Sequence, residues 1–98
     1  MEKRTPHCRL VVVKALLAEG KVRATHSALA GAAALGLDFA GMLDIVAALR
    51  PADFHKSMTT HVDHTLWQDV YRPATPVGEV YLKLTVVDDV LIVSFKEL

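Results

Sequence analysis

A chain of 98 residues with 52% hydrophobic and 22% charged residues is long enough to build one packed core and too apolar to stay disordered. Eleven Lys plus Arg balance eleven Asp plus Glu, so total charge alone gives no strong polyanion attraction, and no apolar run nears the roughly 20 residues of a membrane span. Cys8 is the single cysteine, which excludes an intrachain disulfide and a cysteine-rich zinc site; we expect one domain over 1–98, cytoplasmic and without membrane association.

Charge is placed unevenly along this neutral chain. Lys3, Arg4, Arg9, Lys14, Lys21 and Arg23 face only Glu2 and Glu19 in the first 23 residues, while Asp38, Asp44, Asp53, Asp88 and Asp89 come later. A locally positive N-terminal end follows, which from charge alone reads as a solvated helix face in preference to a polyanion site.

From Arg9 to Glu19, Leu10, Val13, Leu16 and Leu17 form a helical stripe, and Gly20 sits where a left-handed cap belongs. Lys21–Thr25 alternates like a short extended segment. Ser27 is the expected N-cap of a second helix over Ala28–Leu35, stopped near Gly36. Asp38 caps a third, running to about Leu49, with Met42, Ile45, Val46 and Leu49 on its buried side. Pro51 starts a short helical turn through Asp53 and Phe54.

Beyond residue 65 the composition becomes β-branched and aromatic. Leu66–Arg72, Glu79–Val87 and Val90–Lys96 predict three antiparallel strands joined by hairpins. Period-two alternation puts Val80, Leu82, Leu84 and Val86 on the core face, with Leu91, Val93 and Phe95 meeting them from the last strand. Tyr81, Lys83, Thr85, Ser94 and Lys96 collect on the opposite, polar face. The expected fold is α+β, N-terminal helices packed on a mainly antiparallel sheet.

Four residues have the chemistry for RNA scission by the ribose 2′-hydroxyl: Lys56 after the short turn, Gln68 in the first late strand, and Tyr81 and Lys96 on the polar face. The reaction needs a base, cations against the crowded phosphorane and an acid for the leaving 5′-oxygen. Lysines on an exposed strand are ordinarily just solvated, and Tyr81 can simply edge the core, so from these residues alone the non-catalytic reading is favoured. His55, His61, Asp63 and His64 form a second constellation with metal-ligand chemistry. Their spacing matches no zinc pattern, which favours exposed or backbone-bonded histidines; no metal and no cofactor is expected. His55 also adjoins Lys56, where an imidazole can shuttle a proton. Trp67 and Tyr71 share one strand face and suit either base stacking or the core, with the core favoured for Trp67.

Lys56-Ser57-Met58-Thr59-Thr60, Asp63-His64-Thr65, Trp67-Gln68-Asp69-Val70-Tyr71-Arg72-Pro73 and Asp89-Val90-Leu91-Ile92-Val93-Ser94-Phe95-Lys96 resemble the motility quorum-sensing regulator toxins. The opening Met1–His7 and the run Gly36-Leu37-Asp38-Phe39 with Gly41-Met42 match too, so the resemblance spans the whole chain. It implies a RelE-like fold and a metal-independent endoribonuclease that cuts messenger RNA preferentially at GCU. It also implies neutralisation by an MqsA-like antitoxin, a zinc-binding helix-turn-helix protein. The family's functional positions fall on Lys56, Gln68, Tyr81 and Lys96. Tyr81 or Lys56 would move the proton, Lys96 would steady the phosphate and Gln68 would orient phosphate or base. His55, Arg72 and Lys83 are the expected RNA contacts.

Two departures stand out. His55 and His61 occupy positions where the family typically has tyrosine, and the total charge is lower than in more basic members, implying a shallow salt dependence. These changes motivate an alternative, a catalytically weakened relative that only binds the antitoxin and acts in operon control; a further, less favoured one is a metal-dependent nuclease using His55, His61, Asp63 and His64.

Overall fold

The helical stripes read above fold into three nine-residue helices, α1 (Leu10–Ala18), α2 (His26–Ala34) and α3 (Phe39–Ala47), in the computed structural model, which describes residues 1–98. Gly20 and Gly36 adopt the left-handed conformation that stops α1 and α2, with φ of 73° and 79°. Asp38 caps α3 by accepting from Gly41 N at 2.7 Å. The cap of α2 is Thr25 rather than Ser27: its hydroxyl accepts from Ala28 N at 3.1 Å and donates to Val93 O at 2.8 Å. Thr25 wins because that one hydroxyl caps the helix and ties it to the sheet. No single helix is long and apolar enough to cross a membrane.

Seven strands form the sheet: β1 (Glu2–Lys3), β2 (Val22–Ala24), β3 (Phe54–Thr59), β4 (Trp67–Tyr71), β5 (Ala74–Thr75), β6 (Gly78–Val86) and β7 (Val90–Glu97). Their order is β1-β3-β4-β6-β7-β2, with β5 paired to β6, and every pairing is antiparallel except that of β2 with β7. The architecture is α+β, helices on one face of a largely antiparallel sheet. It is wider than the three late strands foreseen, because β1 and β3 extend one side and β2 closes the other.

The core lies between the helices and one face of that sheet. Val13, Ala28, Ala32, Met42, Val46 and Leu49 meet Tyr71, Val80, Leu82, Leu84, Val90, Ile92 and Phe95, all essentially inaccessible. Phe95 is inward as alternation predicts, but Leu91 and Val93 are not: Val90 and Ile92 take the core positions. A β-bulge explains the correction. Lys83 pairs with Ser94 while Leu84 pairs with Ile92, so Val93 is an extra residue that inverts the alternation before it.

Candidate functional site

The register of the central strands determines which side chains share the face left free by the helices. Lys56 in β3 stands opposite Val70 in β4, Val70 opposite Lys83 in β6, and Lys83 opposite Ser94 in β7. Directly opposed residues point the same way, so Lys56 and Lys83 project from one row about 10 Å apart, two strand spacings. Val70, flanked in register by the two lysines, is fully inaccessible although it lies outside the main core. Gln68 opposes Met58 and lies two residues from Val70, hence on the same face. Tyr81 opposes Lys96, whose Nζ sits 5.2 Å from the phenol ring centroid.

Lys56, Gln68, Tyr81, Lys83 and Lys96 therefore stand on one side of four adjacent strands. Lys56, Gln68, Tyr81 and Lys83 are half-buried and Lys96 is exposed. The best-formed concavities are lined by other residues, so the set makes an open cationic surface rather than a deep pocket. Lys56 is engaged there: its Nζ donates to Glu2 Oε2 at 2.8 Å, and this lysine holds the Glu2 carboxyl below the usual range.

His55 sits at a second bulge. Phe54 opposes Tyr71 toward the core and Lys56 opposes Val70 on the open face, leaving His55 as the unpaired residue between them. The bulge re-aims it to the rim. There His55 and Arg72 line a concavity of about 250 Å³ together with Phe54 and Glu79. Burial, then the charges of Arg72, Lys56 and Arg4, hold the imidazole below its ordinary range, so it is neutral at neutral pH.

The structure does not assemble the histidine cluster. His55 lies next to the start of β3, whereas His61, Asp63 and His64 lie exposed in the loop beyond its far end, and no group of three or more potential ligands comes together. Asp63 instead accepts from the Thr65 hydroxyl and amide at 2.6 and 2.8 Å, which stabilises the loop. Tyr71 joins the core, while Trp67 is half-buried, stacked on His7 at 5.6 Å with Lys3 Nζ 4.1 Å from its ring centroid.

Sequence reasoning missed Glu2, Arg4 and the role of Asp69. The buried Asp69 carboxylate accepts from His7 N and Cys8 N at 2.9 and 3.0 Å, fastening the N-terminal segment to β4. Only the surplus of positive charge before residue 24 hinted at this surface.

Two comparisons bear on what the surface does. A family model described as motility quorum-sensing regulator, toxin of MqsA, matches residues 5–97. The mRNA interferase toxin MqsR of Escherichia coli (strain K12) is 63% identical over 97 residues, covering 99% of each chain.

Proposed function

Because the chain belongs to the motility quorum-sensing regulator toxin family, we propose that it is the toxin of a type II toxin–antitoxin pair, an endoribonuclease that cleaves messenger RNA. The observation that carries this reading is the shared face of Lys56, Gln68, Tyr81 and Lys96 across β3, β4, β6 and β7. On that face the opposed Tyr81 and Lys96 can meet one phosphodiester, with Lys56 two strands from Tyr81 to hold the neighbouring stretch of backbone.

Cleavage requires the 2′-oxygen to attack the adjacent phosphorus while its proton leaves, and the 5′-oxygen to depart with a proton. Tyr81 and Lys96 are neighbours in register, so one phosphate can meet both: Lys96 balances the charge that builds on the non-bridging oxygens, and Tyr81 exchanges a proton. Lys56 supplies a second cation or the alternative proton-transfer group. Gln68, on the other side of the Lys56–Val70–Lys83 row from Tyr81, donates and accepts in a fixed direction and orients a neighbouring phosphate or base. His55 at the bulge of β3, Arg72 just past β4 and Lys83 in β6 extend the contact across the sheet. No step requires a metal.

The preferred cut is at GCU, and the partner is an MqsA-like antitoxin with a zinc site and a helix-turn-helix domain. That partner is the one named in the family's description. Incubating the pure chain with a GCU-containing RNA in EDTA tests the activity. Cleavage that persists in chelator and is lost in Lys96→Ala is expected. Undiminished cleavage by both Lys56→Ala and Lys96→Ala would remove the site. Expression without antitoxin should arrest growth; a tolerated, inactive chain would favour the antitoxin-binding reading that the His55 and His61 departures raise.

A further inference from the structure

Four features that the cleavage chemistry leaves unused converge at the start of α1. First, Leu10, Phe54, Tyr71, Pro6 and Pro51 surround a cavity of about 400 Å³ whose remaining lining residues are Arg4 and Arg9. Second, neither arginine takes part in any ion pair of the fold. Third, α1 is uncapped: Arg9 occupies the N-cap position, offers no side-chain acceptor, and the amides of Val12 and Val13 turn back to its carbonyl at 3.0 and 3.2 Å. The Leu10 and Val11 amides are left without acceptors. Fourth, the Tyr71 hydroxyl is buried without a hydrogen-bond partner, on a residue with no exposed surface.

Each feature carries a cost that an occupant would remove. The positive end of a helix dipole beside two guanidinium groups is unfavourable until an anion arrives, and free amides at a helix start are suited to a phosphate. An unpaired buried phenol seeks an acceptor. Asp69 does not fill the need: its carboxylate is turned to His7 N and Cys8 N, and the Tyr71 hydroxyl bonds to neither of its oxygens. Glu2 is held by Lys56. The complementary ligand has a flat apolar body, one anionic group and a polar edge, which describes a nucleotide.

The cavity lies on the helix side of the sheet and reaches the rim of the cationic face at His55. Phe54 lines both this cavity and the His55–Arg72 concavity, and the Arg4 charge acts on His55 and on Glu2. We propose that the cavity receives a nucleotide of the substrate RNA flanking the cut, its phosphate at Arg4, Arg9 and the start of α1 and its base against Phe54. This inference rests on the nuclease reading above. It gives the enzyme a binding site outside the cleavage triplet and a way to grip RNA with no net charge of its own.

The test compares KM for a minimal GCU-containing RNA with RNAs extended by two nucleotides on the 5′ or the 3′ side. For the wild-type chain one extension lowers KM by about tenfold, the scale of one stacked base. In Arg9→Ala the short and extended RNAs have equal KM, and the salt slope of binding falls by about one. Tyr71→Phe loses part of the gain without a fall in Tm, since the hydroxyl is buried without a partner in the free protein and its removal relieves that cost. Equal KM for all lengths in the wild type, or an extension effect intact in Arg9→Ala, overturns the assignment. So does adenosine 5′-monophosphate binding at the cavity without any length effect on RNA, which would mark a free-nucleotide site. Absence of cleavage on every RNA instead refutes the nuclease reading, a distinct result.

Discussion

Lys56 Nζ donates to Glu2 Oε2 at 2.8 Å, so a cation of the proposed site is held by a carboxylate from the edge strand β1. Glu2 opposes Met58 in register, which places it on the same face as the lysine. An RNA phosphate must compete with that carboxylate for the ammonium group. Glu2→Gln should therefore lower KM for RNA by about two- to fivefold, the range of an exposed ion pair, with kcat little changed. Because the Glu2 carboxyl titrates below the usual range, the difference between variant and wild type should persist through mildly acidic pH and vanish only below the ordinary Glu range. Steady-state cleavage at several pH values checks this; a raised KM in the variant would show that Glu2 assists rather than competes.

Tyr81 and Lys96 are directly opposed, with the ammonium 5.2 Å from the ring centroid. Groups that meet one phosphate act as a unit, so their deletions should not add. Tyr81→Phe and Lys96→Ala are each expected to lower the single-turnover rate by about 10²- to 10³-fold. The double variant should lose little more than the worse single. Multiplicative losses would place the two groups on separate steps or separate phosphates.

Gly31 marks a close approach of α2 to β7. A Cβ built there overlaps the carbonyl oxygen of Phe95, and Gly31 has no positive φ, so the glycine is needed for approach and not for backbone freedom. Two effects oppose each other in Gly31→Ala. Helix propensity favours alanine by about 1 kcal/mol, while overpacking against rigid backbone costs about 3 kcal/mol. The clash wins by about 2 kcal/mol, which lowers Tm by roughly 8–16 °C for a domain of this size. Calorimetry of the variant measures it, and an unchanged Tm would mean that α2 can lift from β7 at no cost.

Half of the proposed site was legible from alternation and half was not. Tyr81 and Lys96 follow from the period of two in β6 and β7, because one side of those strands is packed and the other is free. Lys56 lies in Phe54-His55-Lys56-Ser57-Met58-Thr59, where the bulge at His55 breaks the alternation and hides a strand. Gln68 was placed in its strand, but the resemblance, not the pattern, singled it out. The Leu91–Val93 misreading has the same cause, since an unpaired residue leaves no trace in composition. Glu2 and Arg4 depend on the pairing of β1 with β3. Contacts between residues so distant in sequence are written in no local motif.

His55 gives the pH dependence of this surface. Burial and the charges of Arg72, Lys56 and Arg4 lower its midpoint from the ordinary 6.5. The folded state then binds the proton less readily than the unfolded chain, so between the folded midpoint and 6.5 the unfolded state carries more protons. The stability that neutral His55 confers is fully present above 6.5 and is lost as pH falls through that window; His55→Gln should flatten this part of the profile. Arg72→Gln removes one of the neighbouring cations and should raise the imidazole midpoint. A bound RNA phosphate should raise it further, because an anion beside the ring favours the protonated form. Proton NMR titration of the His55 ring, alone and with a 2′-O-methyl GCU oligonucleotide that resists cleavage, reads both shifts. A midpoint at or above 6.5 in the free protein would contradict the crowding of cations at the bulge, and one insensitive to the oligonucleotide would remove His55 from the RNA path.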